Sequence, residues 1–468
     1  MSTRSTTQHE RIDPYLLKLG LVLVLGIVMS MLDTTIVNVA LDTLGQDLDA
    51  GLATTQWVVT GYMLALAVVI PATGWLTDRY GAKRLFVLGV GLFTAGSGLC
   101  AAAWDVDSLI TFRVVQGMAG ALLMPVAQTI LARAAGPERM GRVMTLVGVP
   151  ALLAPILGPV AGGLIVDHLT WRWMFLINVP VGVASVLISL RRLPADPRPG
   201  QSGQRFDFGG LALLGPGLAL LVYGLSGAGR AGTFDDAGVW GPMAGGALLV
   251  ALFVGYAGAR GERALIPLAY FRDRAFASAG TVGFMISISV FGVMLLLPLY
   301  YQQIQHDSAL SAGLLLALQG LGTAVSMPVA GALADKVGPR RVVVTGMTLV
   351  ALGTLVLTQV QAGVPSWAVA VALVVRGLGF GAAMMPAMAA GYRNLPASAA
   401  GHASSVLQIF SRVGGTIGAA LMAVILAQAG DFGIALWYAT AITAAGALGA
   451  LLLPGGDTVP AHTQPKEQ

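Results

Sequence analysis

The chain has 468 residues, of which 56% are hydrophobic and only 10% charged, with a mean hydropathy of +0.78. That balance excludes a soluble multidomain protein, because no long stretch is polar enough to cover a water-facing domain. The single Cys100, set in an apolar run, excludes a disulfide framework and a cysteine metal site, and the net charge of +5 finds its explanation in where the cations lie.

In chain order, a polar tail over residues 1–14 comes first, without the short apolar core and cleavage site of a removable signal. Apolar runs of helical length follow at 15–41, 55–77, 84–103, 107–133, 142–166, 171–190, 207–227, 239–259, 276–303, 310–334, 341–362, 366–391, 402–427 and 432–453. At 1.5 Å per residue each can cross a hydrocarbon layer about 30 Å thick, tilted or straight. The prediction is an all-α integral membrane protein of fourteen transmembrane helices. The pair 207–227 and 239–259 also suits one re-entrant hairpin, although each run is long enough to cross. A polar tail over 454–468 ends the chain.

Orientation follows from Lys and Arg. With the N-terminus inside, 22 of the 27 cations fall in inner loops and tails, two (Arg172 and Arg230) in outer loops, and three within spans. Acidic residues show no such bias. An excess of Lys and Arg on one side marks the cytoplasmic face, so both termini are expected in the cytoplasm. The basic character is a topology signal and does not argue for nucleic acid, and no nucleic-acid partner is expected.

GWLTDRYGAKR, Gly74 to Arg84, recurs as GALADKVGPRR, Gly331 to Arg341, with apolar runs on both sides of each copy. An Asp and several cations in a short link between hydrophobic helices belong outside the hydrocarbon. Two copies at corresponding places indicate two similar halves, as in many secondary transporters. Setting spans seven and eight aside leaves six spans on each side, which gives a first six-helix bundle over 15–190, a linker with two extra helices over 191–275, and a second bundle over 276–453.

At this point the chain resembles the fourteen-span drug:proton antiporter branch of the major facilitator superfamily along nearly its whole length. LDTTIVNVAL (Leu32 to Leu41), QWVVTGYMLA (Gln56 to Ala65), RVVQGMAGA (Arg113 to Ala121), APILGPVAGG (Ala154 to Gly163) and WRWMFLINVPVG (Trp171 to Gly182) carry the resemblance together with the repeated motif. One departure stands out: the family's proline after VAL is Asp42 here, which adds a carboxylate near the outer mouth. The resemblance implies the major facilitator fold, and a gating role for Gly74, Asp78, Arg79, Gly81 and Arg84 with their weaker copies Asp335, Gly338 and Arg341. It also implies an antiporter motif at Pro155, Gly158, Pro159, Gly162 and Gly163. Prolines and small residues there suit a hinge and a tight contact between the halves.

Asp33 is the only carboxylate in the interior of a predicted span; Asp107 and Asp207 stand at the very start of theirs. Arg113 enters the fourth span from the same side and reaches a similar depth, on a helix that can pack beside the first. A carboxylate in hydrocarbon is costly unless paired, so Asp33 is the candidate proton carrier and Arg113 its partner. Structural readings compete: a fixed ion pair for these two, and carbonyl or interhelical contacts for Arg376 and Arg412. Asp78 and Asp335, beside cations in cytoplasmic links, are read as gating residues and not as proton sites. Met29, Tyr62, Gln116, Met124, Phe284, Phe291, Tyr301, Arg376 and Arg412 are candidate cavity-lining residues, since methionines and aromatics suit apolar or cationic ligands; each also suits a core or lipid-facing place.

The five histidines are scattered and form no metal-ligand set, and no phosphate-binding loop of the G-x-x-x-x-G-K-[ST] type occurs. The expectation is a proton-driven exporter of drugs or other amphipathic small molecules, working by alternating access. It would use no cofactor and no ATP, act as a monomer in a bacterial inner membrane, and have no enzymatic activity. The other reading on the same fold is a carrier for a defined metabolite, lipid or siderophore.

Overall fold

A membrane interior offers no water to free backbone groups, so an apolar chain must satisfy them within helices or closed barrels. The computed structural model describes residues 14–135, 157–158, 161–166, 168–196, 205–306 and 309–453, and among these it contains helices and no strand. Thirteen of the helices are long and apolar enough to cross a membrane. They are labelled α1 (Pro14–Val39), α2 (Trp57–Tyr80), α3 (Ala82–Ala101), α4 (Val106–Ala135), α5 (Trp173–Arg192), α6 (Phe208–Ala231) and α7 (Ala237–Arg260). The second half contributes α8 (Arg274–Gln303), α9 (Ala309–Val337), α10 (Pro339–Leu357), α11 (Ser366–Arg393), α12 (Ala400–Ala429) and α13 (Phe432–Ala450). Of the run predicted at 142–166, only 157–158 and 161–166 lie within the described residues, and these are helical.

The repeated motif is more helical than a link. α2 passes Pro71 through a 3-10 turn, Ile70–Ala72, and continues as helix over Thr73–Tyr80, so Gly74 and Asp78 sit in its last turns. The chain reverses at Gly81 alone, with φ +89°, and the second copy does the same at Gly338 with φ +88°. That region of φ is open to glycine and strained for other residues, which accounts for the second glycine in both copies. Asp335 lies in the last turn of α9; its side chain is outside the described residues.

Asp196, just after α5, accepts hydrogen bonds from the Ala82 and Lys83 backbone amides, while Lys83 Nζ donates to the Leu193 carbonyl at 2.8 Å. The orphan N–H groups that open α3 are thereby satisfied by the segment that leaves the first half. α1 ends at Val39, and Leu41–Asp47 form a separate short helix, so Asp42 belongs to that helix and not to the end of α1; its side chain is outside the described residues.

α6 packs against both α2 and α12, across the seam between the halves, and α7 packs outside it against α6. Buried Asp207 caps α6 through the Gly210 amide, and also accepts from Tyr256 Oη at 2.6 Å and the Leu265 amide at 2.9 Å. This one carboxylate fastens the start of α6 to α7 and to the strand of chain that follows it.

Candidate functional site

Asp33 on α1 is buried to 1% exposure and Arg113 on α4 likewise, and the two form a direct ion pair through Nη1 and Oδ2. The other carboxylate oxygen accepts from Gln116 Nε2 and from Asn178 Nδ2, each at 3.2 Å. Gln116 and Asn178 both also donate to Ser97 Oγ, at 2.6 and 3.1 Å. Arg113 also donates from Nη1 to Gln116 Oε1 at 2.7 Å and from Nε to the Val58 carbonyl at 3.1 Å. Its guanidinium lies 4.2 Å from the Tyr62 ring centroid and 5.6 Å from that of Phe175. A buried charge pair is tolerable only when its leftover donors and acceptors are satisfied, and five helices, α1 to α5, supply the partners here.

This geometry corrects two placements. Tyr62 and Gln116 do not line an open cavity in this state; both are buried within the cluster, one as a face for the cation and the other as a bridge. Sequence reasoning missed Asn178, Ser97 and Phe175. The signal for Asn178 was available, since an amide in the apolar LINVPVG run must find a partner.

At the motif end the halves close on each other. Thr73 Oγ1 and Ser405 Oγ share a 2.6 Å hydrogen bond, and Ser404 Oγ lies 2.9 Å from both the Pro125 carbonyl and Gln128 Oε1. Gly74 permits this approach: a Cβ there would stand 2.9 Å from the His402 backbone. Asp78 pairs with Arg133 of its own half at 2.8 Å, and its second oxygen faces His402 Nδ1 of the other half at 3.5 Å, where the nitrogen makes no hydrogen bond among the described residues. Tyr270, from the chain between α7 and α8, covers His402 with ring centroids 6.4 Å apart. Burial, and then the charges of Asp78 and Glu262, push the Tyr270 hydroxyl above its ordinary range, so it stays a neutral phenol. Arg79, Arg84 and Arg341 are exposed.

The other candidates scatter. Met29 is buried in the main core and Tyr301 in a second one far along α8, so neither is open to a ligand in this state. Met124 and Phe284 are half-buried, and Phe291, 46% exposed, packs against Gly415. Arg376 is buried against the Gln319 side chain and the Ser289 carbonyl, with no acid beside it among the described residues. Arg412 is half-buried, and its guanidinium has no ion-pair or hydrogen-bond partner among the described residues. Pro155 and Pro159 lie outside the described residues. Gly158 abuts Thr35 of α1, so its contact is inside the first half and not between halves, while Gly162 is buried and Gly163 faces open space.

Three comparisons bear on this arrangement. The family model described as Major Facilitator Superfamily matches residues 23–276 and 279–468. A multidrug resistance protein B homolog of Mycobacterium tuberculosis is 42% identical over 419 residues, covering 89% of this chain and 77% of that protein. A tetracenomycin C resistance and export protein of Streptomyces glaucescens is 32% identical over 414 residues, covering 87% and 75%. Among solved structures, the proton:xylose symporter XylE bound to 6-bromo-6-deoxy-D-glucose superposes with a TM-score of 0.68 at 13% identity, covering 94% of this chain and 96% of that one.

Proposed function

We propose that this chain, which belongs to the major facilitator superfamily, is a proton-coupled exporter of drugs or other amphipathic small molecules. A multi-pass membrane transporter is what the family and the thirteen apolar helices establish. The observation that carries the finer reading is Asp33: a carboxylate in the membrane interior, fully buried and held by Arg113, Gln116 and Asn178. Protonating it removes the charge that holds Arg113. Loss of the proton restores the pair. A helix packing that differs between the two forms would convert proton binding into movement of α1 against α4.

The motif end supplies the moving contact. It carries the cation excess and is therefore the cytoplasmic side. The bonds Thr73–Ser405 and Ser404–Pro125 cross the seam there, so the state described is closed toward the cytoplasm. Breaking them would open the seam between the halves toward the cytoplasm. Each turnover admits substrate on one face, exchanges it against a proton on the other, and draws on the proton gradient with neither cofactor nor ATP. The protein works as a monomer with both termini in the cytoplasm of a bacterial inner membrane.

The test is flux in proteoliposomes with an imposed pH gradient, using a panel of lipophilic cations and neutral drugs. Wild type should move at least one class uphill, and Asp33→Asn should permit downhill movement only. Uphill transport by Asp33→Asn at near the wild-type rate would refute the assignment.

A further inference from the structure

The second half keeps the first half's arginine and loses its acid. Ser289 on α8 stands nine residues before Pro298, as Asp33 on α1 stands nine before Asp42, the place where the family puts proline. Asn178 on α5 donates to Asp33; in the second half Thr443 on α13 shares a 2.6 Å hydrogen bond with Ser289. Arg113 reaches the Asp33 carboxylate from α4; Arg376 on α11 meets Ser289 at its main-chain carbonyl, at 3.4 Å. Three positions therefore correspond, and the one difference in charge is a serine in place of the carboxylate.

Arg376 is 1% exposed and offers five N–H donors. Two are used among the described residues, both on neutral oxygens: the Ser289 carbonyl and Gln319 Oε1 at 3.2 Å. Nε has no partner. Between the ends of α8 to α13 the sequence contains no Asp or Glu that could neutralise it; Asp335, at the motif end of α9, is the only acid on these helices. The predicted run at 142–166 carries no charge between Arg142 and Asp167. An uncompensated guanidinium in hydrocarbon is costly, and guanidinium cannot shed its proton to escape the cost.

We propose that Arg376 anchors a monoanion, taken from outside the chain, in the place that the Asp33 carboxylate fills in the first half. The anion is either the carboxylate of a transported amphiphile or a halide from solution. The organic source rests on the export reading above; the site does not. With the guanidinium buried, the anion enters when the helices of the second half part during the cycle. The consequence for specificity is that weakly acidic amphiphiles are substrates alongside neutral ones.

Purified full-length protein in detergent tests this by thermal unfolding. The probes are 1-naphthoate, its neutral isostere 1-naphthamide, and sodium chloride against sodium sulfate at matched ionic strength. A ligand that binds only the folded state raises the unfolding midpoint with concentration. Naphthoate or chloride should do so and naphthamide should not; the first arm assigns the anion to the substrate and the second to the solution. Arg376→Gln should weaken the apparent affinity roughly tenfold, the scale of a charge-assisted hydrogen bond. Ser289→Asp, which returns the missing acid, should unfold at a higher temperature without ligand and lose the anion response. No anion response in wild type overturns the proposal, as does a response of wild-type size in either variant, so failure of one variant to fold leaves the other to decide. Proton-coupled flux without any anion response would remove this site and leave the export reading standing.

Discussion

Gly74→Ala should prop open the cytoplasmic contact. A Cβ at residue 74 would lie 2.9 Å from both Cα and N of His402, and 3.0 Å from His402 Cδ2. The first two are backbone atoms of a buried helix, so relief requires α2 and α12 to separate. Overpacking of this kind costs about 1–3 kcal/mol, and it falls only on the closed state, which shifts the equilibrium between states by roughly 5- to 150-fold. A disulfide reports that equilibrium. A Cβ on residue 401 would sit 3.6 Å from Thr77 Cβ, within the range of about 3.5–4.5 Å that a disulfide needs. In a Cys100→Ser background, Thr77→Cys with Gly401→Cys should cross-link rapidly under mild oxidant and halt transport until reduced. Adding Gly74→Ala should slow that cross-linking by about the same factor as the equilibrium shift. Gly91→Ala on α3, where a Cβ meets nothing within 4 Å, is the control and should change nothing. Unaltered cross-linking and turnover in Gly74→Ala would show that the contact is not the closing surface.

Two further outcomes follow from contacts at the same end. Asp78→Asn removes the pairing with partly exposed Arg133 and should slow cycling in stopped-flow exchange while leaving substrate affinity within about twofold, since exposed pairs contribute little to stability; a matching loss in affinity would place Asp78 in the binding site. Asp196→Ala uncaps α3 and should lower stability by about 1 kcal/mol in thermal unfolding, with unchanged substrate affinity; an unchanged midpoint would show that Lys83 Nζ alone holds the linker.

The fold was legible where a membrane constrains the chain most. Apolar run length places the thirteen described helices within a few residues, and the two glycines at 81 and 338 mark equivalent reversals. Asp33 and Arg113 stand out because charge in an apolar run is rare and demands a partner. Depth along a helix does not give direction around it, however. An aromatic such as Tyr62 reads the same whether it faces a cavity or lies beneath a cation, and a neutral Ser97 raises no alarm in a helix. Contacts between the halves were invisible for a different reason. His402 and Asp78 are brought together only by docking of two bundles, and no local pattern in either segment encodes that approach. The last turn of α2, past residue 77, was obscured because the charged motif reads as a link, whereas the helix runs on to Tyr80 and the close approach of α12 uses Gly74.

The burial of the Asp33–Arg113 pair changes what its mutants should do. Asn at 33 preserves shape and can still bond to Gln116 or Asn178, but it leaves the Arg113 charge buried with neutral partners only. Breaking one side of a buried pair costs on the order of 3–5 kcal/mol, whereas replacing both sides by neutral groups is often far milder. Asp33→Asn should therefore lose stability as well as coupling, and Asp33→Asn with Arg113→Gln should regain much of the stability while remaining uncoupled. The coupling energy of the double-mutant cycle should then exceed the cost of either single change, reaching at least about 3 kcal/mol, the top of the range usual for residues in contact. Thermal unfolding reads the first quantity; proton release on substrate binding, followed with an indicator dye, reads the second. Wild type should exchange protons on binding, and Asp33→Asn and the double mutant should not. A double mutant no more stable than Asp33→Asn alone would mean that the two charges do not depend on each other. Proton exchange that persists in Asp33→Asn would put the carrier elsewhere in the chain, whatever the stabilities show.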